Sequence, residues 1–195
     1  MFDPKDIKYT FDEELVGETF MGIDPAGEGK DFSVWVVRDN FRAKVVYTEA
    51  ISTPKTIAEK TLTLMERYSV SPHNVSIDNF GVGANVAQEL AFTGNMVNSI
   101  NVGIKPEDES FLNLRALAYW RLHQWSKKGG ELVKHKGFEE LNHIRFRKEL
   151  SGKMKIMSKL EMKKDGLKSP DHADALMLTF TEEEKAYFGQ LKTSY

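Results

Sequence analysis

Apolar residues recur along this chain in two rhythms, and the switch between them predicts its elements. Short alternating or continuous runs come first: Thr19–Asp24, Phe32–Arg38 and Arg42–Ile51 read as three strands. Asp39–Asn40 between the second and third is a hairpin turn signal, so the opening strands are expected to be antiparallel. The period then lengthens. Ser52–Thr53–Pro54 supplies a hydroxyl cap and a first-turn proline, and Ile57, Thr61, Leu64, Met65 and Tyr68 fall on one helical face. Val75–Asp78 is a short strand. Ala84–Phe92 is predicted as a helix with Val86, Ala87, Leu90 and Ala91 inward, ended by Gly94, and Val97–Val102 as a fifth strand.

A long helix is predicted over Leu112–Lys128, with Leu114, Leu117, Ala118, Arg121 and Trp125 along one side and Gly129–Gly130 as its stop. Alternation over His143–Glu149 and Lys153–Lys159, around Ser151–Gly152, predicts a basic β-hairpin. A final helix is expected from about Pro170 to Tyr187. Met1–Gly17 shows no sustained period and reads as a lead-in. The order implies an α/β fold: a mixed five-stranded sheet, three antiparallel strands followed by parallel ones that need crossover helices. Residues 18–188 are expected to form one domain, with 189–195 as a tail.

Composition narrows the chemistry. A chain of 195 residues without cysteine can bury a real core, but it has no disulfide, zinc–thiolate site or thiol nucleophile. No apolar run approaches the roughly 20 residues of a membrane span, and the first residues do not read as a secretory signal. Absent cysteine fits a cytosolic setting. The net charge of −2 hides an uneven distribution. Between Lys127 and Lys168, 13 Lys and Arg stand against 6 Asp and Glu, a face suited to a polyanion. Within it, Arg145, Arg147, Lys148, Lys153, Lys155 and Lys159 of the hairpin are the candidate phosphate contacts. Such contacts would hold a duplex without reading its bases.

The acidic residues carry the sharper signal. Asp24 ends the first strand and Asp78 the fourth, and ligands of α/β sheets gather at such strand ends. Asp171 and Asp174 stand three apart on the last predicted helix, hence on one face. Each has a plain alternative: Asp24 before Pro25 can hold its own turn, and Asp171 can complement a helix dipole. Converging carboxylates cannot all ionise without a cation, and oxygen donors without thiolates suit Mg²⁺ or Mn²⁺. Two such ions would serve phosphodiester hydrolysis. Asp31 is a possible auxiliary acid or a loop aspartate holding its turn. His172 lies off the Asp171–Asp174 face and reads as a bystander. Trp35, Trp120 and Trp125 read as core, and Arg115, Arg121, Lys127 and Lys128 as helix-surface charges.

The segments FMGIDPAGEGKDFSVWVV, VSIDNFGVGANVAQEL, NLRALAYWRL and KSPDHADALMLTF together resemble the C-terminal nuclease domain of bacteriophage large terminase subunits. That domain belongs to the ribonuclease H-like group, which includes the Holliday-junction resolvases. The resemblance runs from Phe20 to Phe180. It implies a metal-dependent endonuclease that cleaves double-stranded DNA during viral genome packaging in the host cytoplasm, with two Mg²⁺ or Mn²⁺ ions. By position, Asp24 and Asp78 match the first- and fourth-strand ligands, and Asp171 or Asp174 the last-helix ligand. An ATPase domain or subunit, a small terminase and a portal are the implied partners. No Gly-x4-Gly-Lys-Ser/Thr loop occurs here, so the translocating ATPase is expected elsewhere. Two other readings stand beside it: an actin- or sugar-kinase-like ATPase half-domain, and a non-catalytic DNA-binding packaging module.

Overall fold

The computed structural model describes residues 2–3, 5–27, 32–50 and 52–181. Among them, seven strands form one mixed sheet: β1 (Lys8–Thr10), β2 (Phe20–Asp24), β3 (Ser33–Arg38), β4 (Arg42–Glu49), β5 (Val75–Asp78), β6 (Asn98–Ile100) and β7 (Glu131–Val133). Their spatial order is β1-β7-β4-β3-β2-β5-β6. As expected, β2, β3 and β4 are antiparallel neighbours, while β5 and β6 add in parallel beyond β2. The sheet has two strands more than the five expected. Residues 8–10, within the segment read as a lead-in, pair in parallel with β7, and Phe2 and Ile7 enter the core. Strands of three residues are too short to leave a period, and only pairing with a distant partner makes them strands.

Helices cover both faces, which is why β3 (SVWVVR) is buried at every position rather than alternating with polar residues. On one face Met21, Ile23, Trp35 and Val37 pack against α1 (Pro54–Arg67) and α2 (Gly83–Phe92). Thr61 interrupts the apolar stripe of α1 because its hydroxyl accepts the Trp35 indole N–H at 2.9 Å. On the other face Val34 and Val36 join a core built with α3 (Leu114–Lys127) and α5 (Asp171–Leu178). Successive residues of β2 point to opposite faces, so Gly22 and Asp24 share the α5 side. Gly22 lets that helix come close: a Cβ there would lie 1.9 Å from the Ala175 carbonyl oxygen. The glycine thereby sets how near α5 lies to Asp24.

Two further expectations are corrected. The hairpin strands are β8 (Phe146–Lys148) and β9 (Met154–Ile156), shorter than the predicted runs. Ser158 and Glu161 form a reciprocal capping box that starts α4 (Lys159–Lys164), so Lys159 opens a helix instead of ending a strand. Helix α5 stops at Leu178, and residues 182–187 of the expected longer helix lie outside the described residues. Past Leu178 the amides of Thr179, Phe180 and Thr181 bond three residues back, as in a tightening last turn. The carbonyls of Thr179 and Phe180 accept from Arg38 and Arg121.

Candidate active site

Three elements deliver the aspartates to one edge. Asp24 closes β2. Asp78 closes β5, one step beyond the Ile23–Ile77 register pair of the parallel neighbour. Asp171 and Asp174 occupy the first turn of α5, which Gly22 admits against β2. Asp24, Asp171 and Asp174 are 7%, 7% and 4% exposed, and Asp78 is half-buried. Carboxylates at such burial must be compensated.

The compensation comes from cations and donors on other elements. Asp174 Oδ1 accepts from Arg115 Nη2 at 2.8 Å, Arg115 Nε at 3.2 Å and the Tyr119 hydroxyl at 2.7 Å. Arg115 and Tyr119 stand four apart on α3, and the Arg115 guanidinium also donates to the Met157 carbonyl. Lys159 Nζ lies 3.1 Å from Asp174 Oδ2 and 3.5 Å from Asp24 Oδ2. The approach to Asp174 Oδ2 is an ion pair without hydrogen-bond geometry, so among the described residues that buried oxygen has no hydrogen-bond partner. Asp171 Oδ2 accepts the Phe32 amide at 3.3 Å, and Asp78 Oδ1 the Phe80 amide at 3.2 Å.

The electrostatics differ from one aspartate to the next. Burial pushes the Asp24 carboxyl well above its ordinary range. Asp174, Asp171 and Asp78 add to the rise, and Lys159 opposes it. Asp78 is raised by burial and partly relieved by the Phe80 amide. Burial acts on Asp174 in the same sense, but Arg115, Lys159 and Tyr119 outweigh it and hold the carboxyl below its usual range. The cluster therefore contains one firmly ionised acid and one that resists ionisation.

Among the described residues, no three Asp, Glu or His side chains stand close enough to enclose a metal ion as they are arranged. The donor set nonetheless fits a hard divalent cation. It offers only oxygens, includes a buried Asp174 Oδ2 that lacks a hydrogen bond among the described residues, and places at Asp24 a carboxyl that a further cation would help to ionise. Lys159, with a side chain 48% exposed, supplies positive charge at that point on a flexible stem.

The basic residues divide. Arg147 lies 3.5 Å from Glu161, and Lys155 lies 2.7 Å from Glu149 and 3.8 Å from Glu161. Arg145 donates to the carbonyls of Asn142 and Ile144. Lys148 is exposed and Lys153 half-buried. Lys159 belongs to the carboxylate cluster rather than to the hairpin. Arg115 is likewise no surface charge: it is the principal partner of Asp174. The available signal is Arg115, Tyr119 and Leu122 at spacings of four and three, an apolar-sided stripe headed by an arginine. His172 turns away from the cluster, its Nδ1 2.8 Å from Glu140 Oε1. Trp35 is fully buried, whereas Trp120 and Trp125 are half-buried against the core. Asp31 lies outside the described residues. A cavity of about 430 Å³ lined by Leu62, Met65, Val70 and Pro72 sits near the opposite end of β5, away from the aspartates.

No family model matches the chain, and no curated protein does. Solved structures do. The nuclease domain of the large terminase subunit gp2 of bacterial virus Sf6 superposes with a TM-score of 0.71 at 22% identity, covering 86% of this chain and 89% of that one. A mutant of the same domain with manganese and beta-thujaplicinol gives the same values. The large terminase nuclease of thermophilic phage G20c with bound magnesium matches with a TM-score of 0.58 at 18% identity, covering 90% of each chain. With its mixed sheet and flanking helices, the chain thus has the ribonuclease H-like fold of these phage terminase nuclease domains.

Proposed function

We propose that this chain is a divalent-metal-dependent endonuclease that hydrolyses the phosphodiester backbone of double-stranded DNA during viral genome packaging. The observation that carries the reading is the gathering of Asp24, Asp78, Asp171 and Asp174 from three elements at one sheet edge. Asp24 would be shared by two Mg²⁺ or Mn²⁺ ions, with Asp78 completing one site and Asp171 or Asp174 the other. Ions bound there supply Lewis acidity, lowering the pKa of a water and offsetting charge on the phosphate. The chain's own groups set the stage. Arg115 and Tyr119 hold Asp174 through Oδ1 and leave Oδ2 facing Asp24's side of the cluster. Lys159 offsets the charge that Asp24 and Asp174 would otherwise direct at each other. Arg145, Arg147, Lys148, Lys153 and Lys155 would grip backbone phosphates, giving affinity with little sequence preference. In this reading an ATPase domain or subunit, a small terminase and a portal are the partners, and the host cytoplasm is the setting. No helix among the described residues is long and apolar enough to cross a membrane.

The test is nicking of supercoiled plasmid in Mn²⁺. The wild-type chain is expected to cut and Asp24→Ala to be inactive while still folded by circular dichroism. Full activity in that variant would refute the assignment. A non-catalytic DNA-binding module is the second reading, favoured by the three donors already held on Asp174 Oδ1. Duplex binding without any metal-dependent nicking would select it.

A further inference from the structure

The first turn of α5, which carries both Asp171 and Asp174, is held from outside its own helix. Its cap position is Pro170, which offers no side-chain acceptor. The amides of His172 and Ala173 donate instead to Oε2 of Glu140, at 2.8 and 3.0 Å, and Oε1 of the same carboxylate meets His172 Nδ1 at 2.8 Å. One side chain from 32 residues upstream thus satisfies two of the amides that a helix start leaves unpaired.

The segment that brings Glu140 is rigidly seated. It is the 3₁₀ helix Lys136–His143, anchored by Phe138 and Leu141, which are 0% and 1% exposed. Gly137 of this segment lies flat against the His172 ring, where a Cβ would come within 2.2 Å of Cδ2. The His135 ring is 5.4 Å from that of His172. Gly137, His135 and Glu140 therefore grip α5 on the side that turns away from the Asp171–Asp174 face.

Resting on the nuclease reading, we propose that Glu140 is a positioning residue for the metal-binding carboxylates. By filling the amides of the first turn, it fixes the rotation and height of that turn, and with them the places where Asp171 and Asp174 present their oxygens. It also takes over the capping of His172 and Ala173, the task that a serine, threonine, asparagine or aspartate would perform in the place of Pro170. The His172–Glu140 contact accounts for a histidine that sits beside the site yet turns away from it.

The experiment compares Glu140→Ala, Glu140→Asp and Glu140→Gln by three readouts: amide hydrogen exchange at His172 and Ala173, Mn²⁺ affinity by titration calorimetry, and plasmid nicking resolved into kcat and KM for DNA. Outer residues that orient metal ligands are worth about 10–100-fold in metal affinity or activity. Glu140→Ala is expected to lose at least about tenfold in Mn²⁺ affinity or kcat, with KM for DNA unchanged and both amides exchanging faster. Glu140→Gln keeps an acceptor oxygen and should recover most of the loss. Glu140→Asp keeps the charge but withdraws it by one methylene, so it should fall in the same direction even if the alanine variant does not fold. Wild-type exchange and Mn²⁺ affinity in Glu140→Asp would overturn the proposal. If the wild-type chain neither binds Mn²⁺ nor nicks DNA, the nuclease reading fails, and exchange at His172 and Ala173 alone then decides whether Glu140 clamps the helix.

Discussion

Two ion pairs of nearly equal length make very unequal contributions to this molecule. Arg115 and Asp174 meet at 2.8 Å with side chains 12% and 6% exposed, at the base of the carboxylate cluster. Lys155 and Glu149 meet at 2.7 Å with side chains 27% and 33% exposed, on the hairpin. Around the first pair little water remains to screen charge, so the attraction is strong and an unpaired partner is costly. Around the second, water and salt screen most of it, and the two long side chains lose freedom to meet at all. Distance alone therefore does not rank charges in this protein; burial does. The cluster is built so that its charges depend on one another, while the hairpin's charges remain available to exchange an intramolecular carboxylate for another anion.

The largest effect expected from this contrast is on the buried pair. Arg115→Ala should lower stability by about 3–5 kcal/mol in urea denaturation at neutral pH, because it strands the Asp174 carboxylate. A loss no larger than that of a surface variant would show that water reaches Asp174. Tyr119→Phe should cost about 1.5–3 kcal/mol, the range for a hydrogen bond to a charged group, with no change in the core around the ring.

The two central aspartates should respond to pH with opposite signs. Asp24 has a raised carboxyl, so its contribution is complete below the ordinary aspartate pKa and is lost as pH rises through the raised value. Asp24→Asn should therefore raise the urea midpoint at neutral pH, a gain smaller than the losses above, and the gain should shrink as the solution is acidified. Asp174 has a lowered carboxyl, so its contribution is present above the ordinary value and lost as pH falls through the lowered one. Asp174→Asn should thus destabilise at neutral pH, with a deficit that narrows in acid. Equal responses in the two variants would erase the distinction drawn between them.

The smallest effects on stability belong to the hairpin. Lys155→Ala should shift the urea midpoint no more than an ordinary surface variant does, because water and salt screen its pair with Glu149. Lys148→Ala and Lys153→Ala should leave stability nearly untouched but weaken duplex binding, reducing the slope of log affinity against log salt by about 0.9 for each phosphate that is no longer neutralised. Unchanged affinity and slope in the double variant would remove the hairpin from the proposed DNA face.

Much of the frame is legible in the order of residues. Asp39–Asn40 announces the β3–β4 hairpin, and the stripe of Ile57, Thr61, Leu64 and Met65 announces the inward face of α1, because turn chemistry and helical period are local. Other features are hidden for an equally physical reason. Tripeptide strands such as β1 and β7 carry no period of their own. The Ser158–Glu161 capping box is present in the sequence but is masked there by an apparent alternation through Lys159. Arg115 looks like a solvated helix charge because its partner lies 59 residues away.

By itself, the sequence determined the kinds of groups available: oxygen ligands without thiols, aspartates at strand ends and at an i, i+3 helical spacing, and a basic stretch beyond Lys127. Only the tertiary structure decided how those charges are distributed among one another. Which aspartate stays ionised depends on Arg115, Tyr119 and Lys159 arriving from α3 and α4, and what steadies α5 depends on Glu140 arriving from a 3₁₀ turn. Electrostatic strength is set by separation in space and by exclusion of water, and neither quantity is written in the order of residues along a chain.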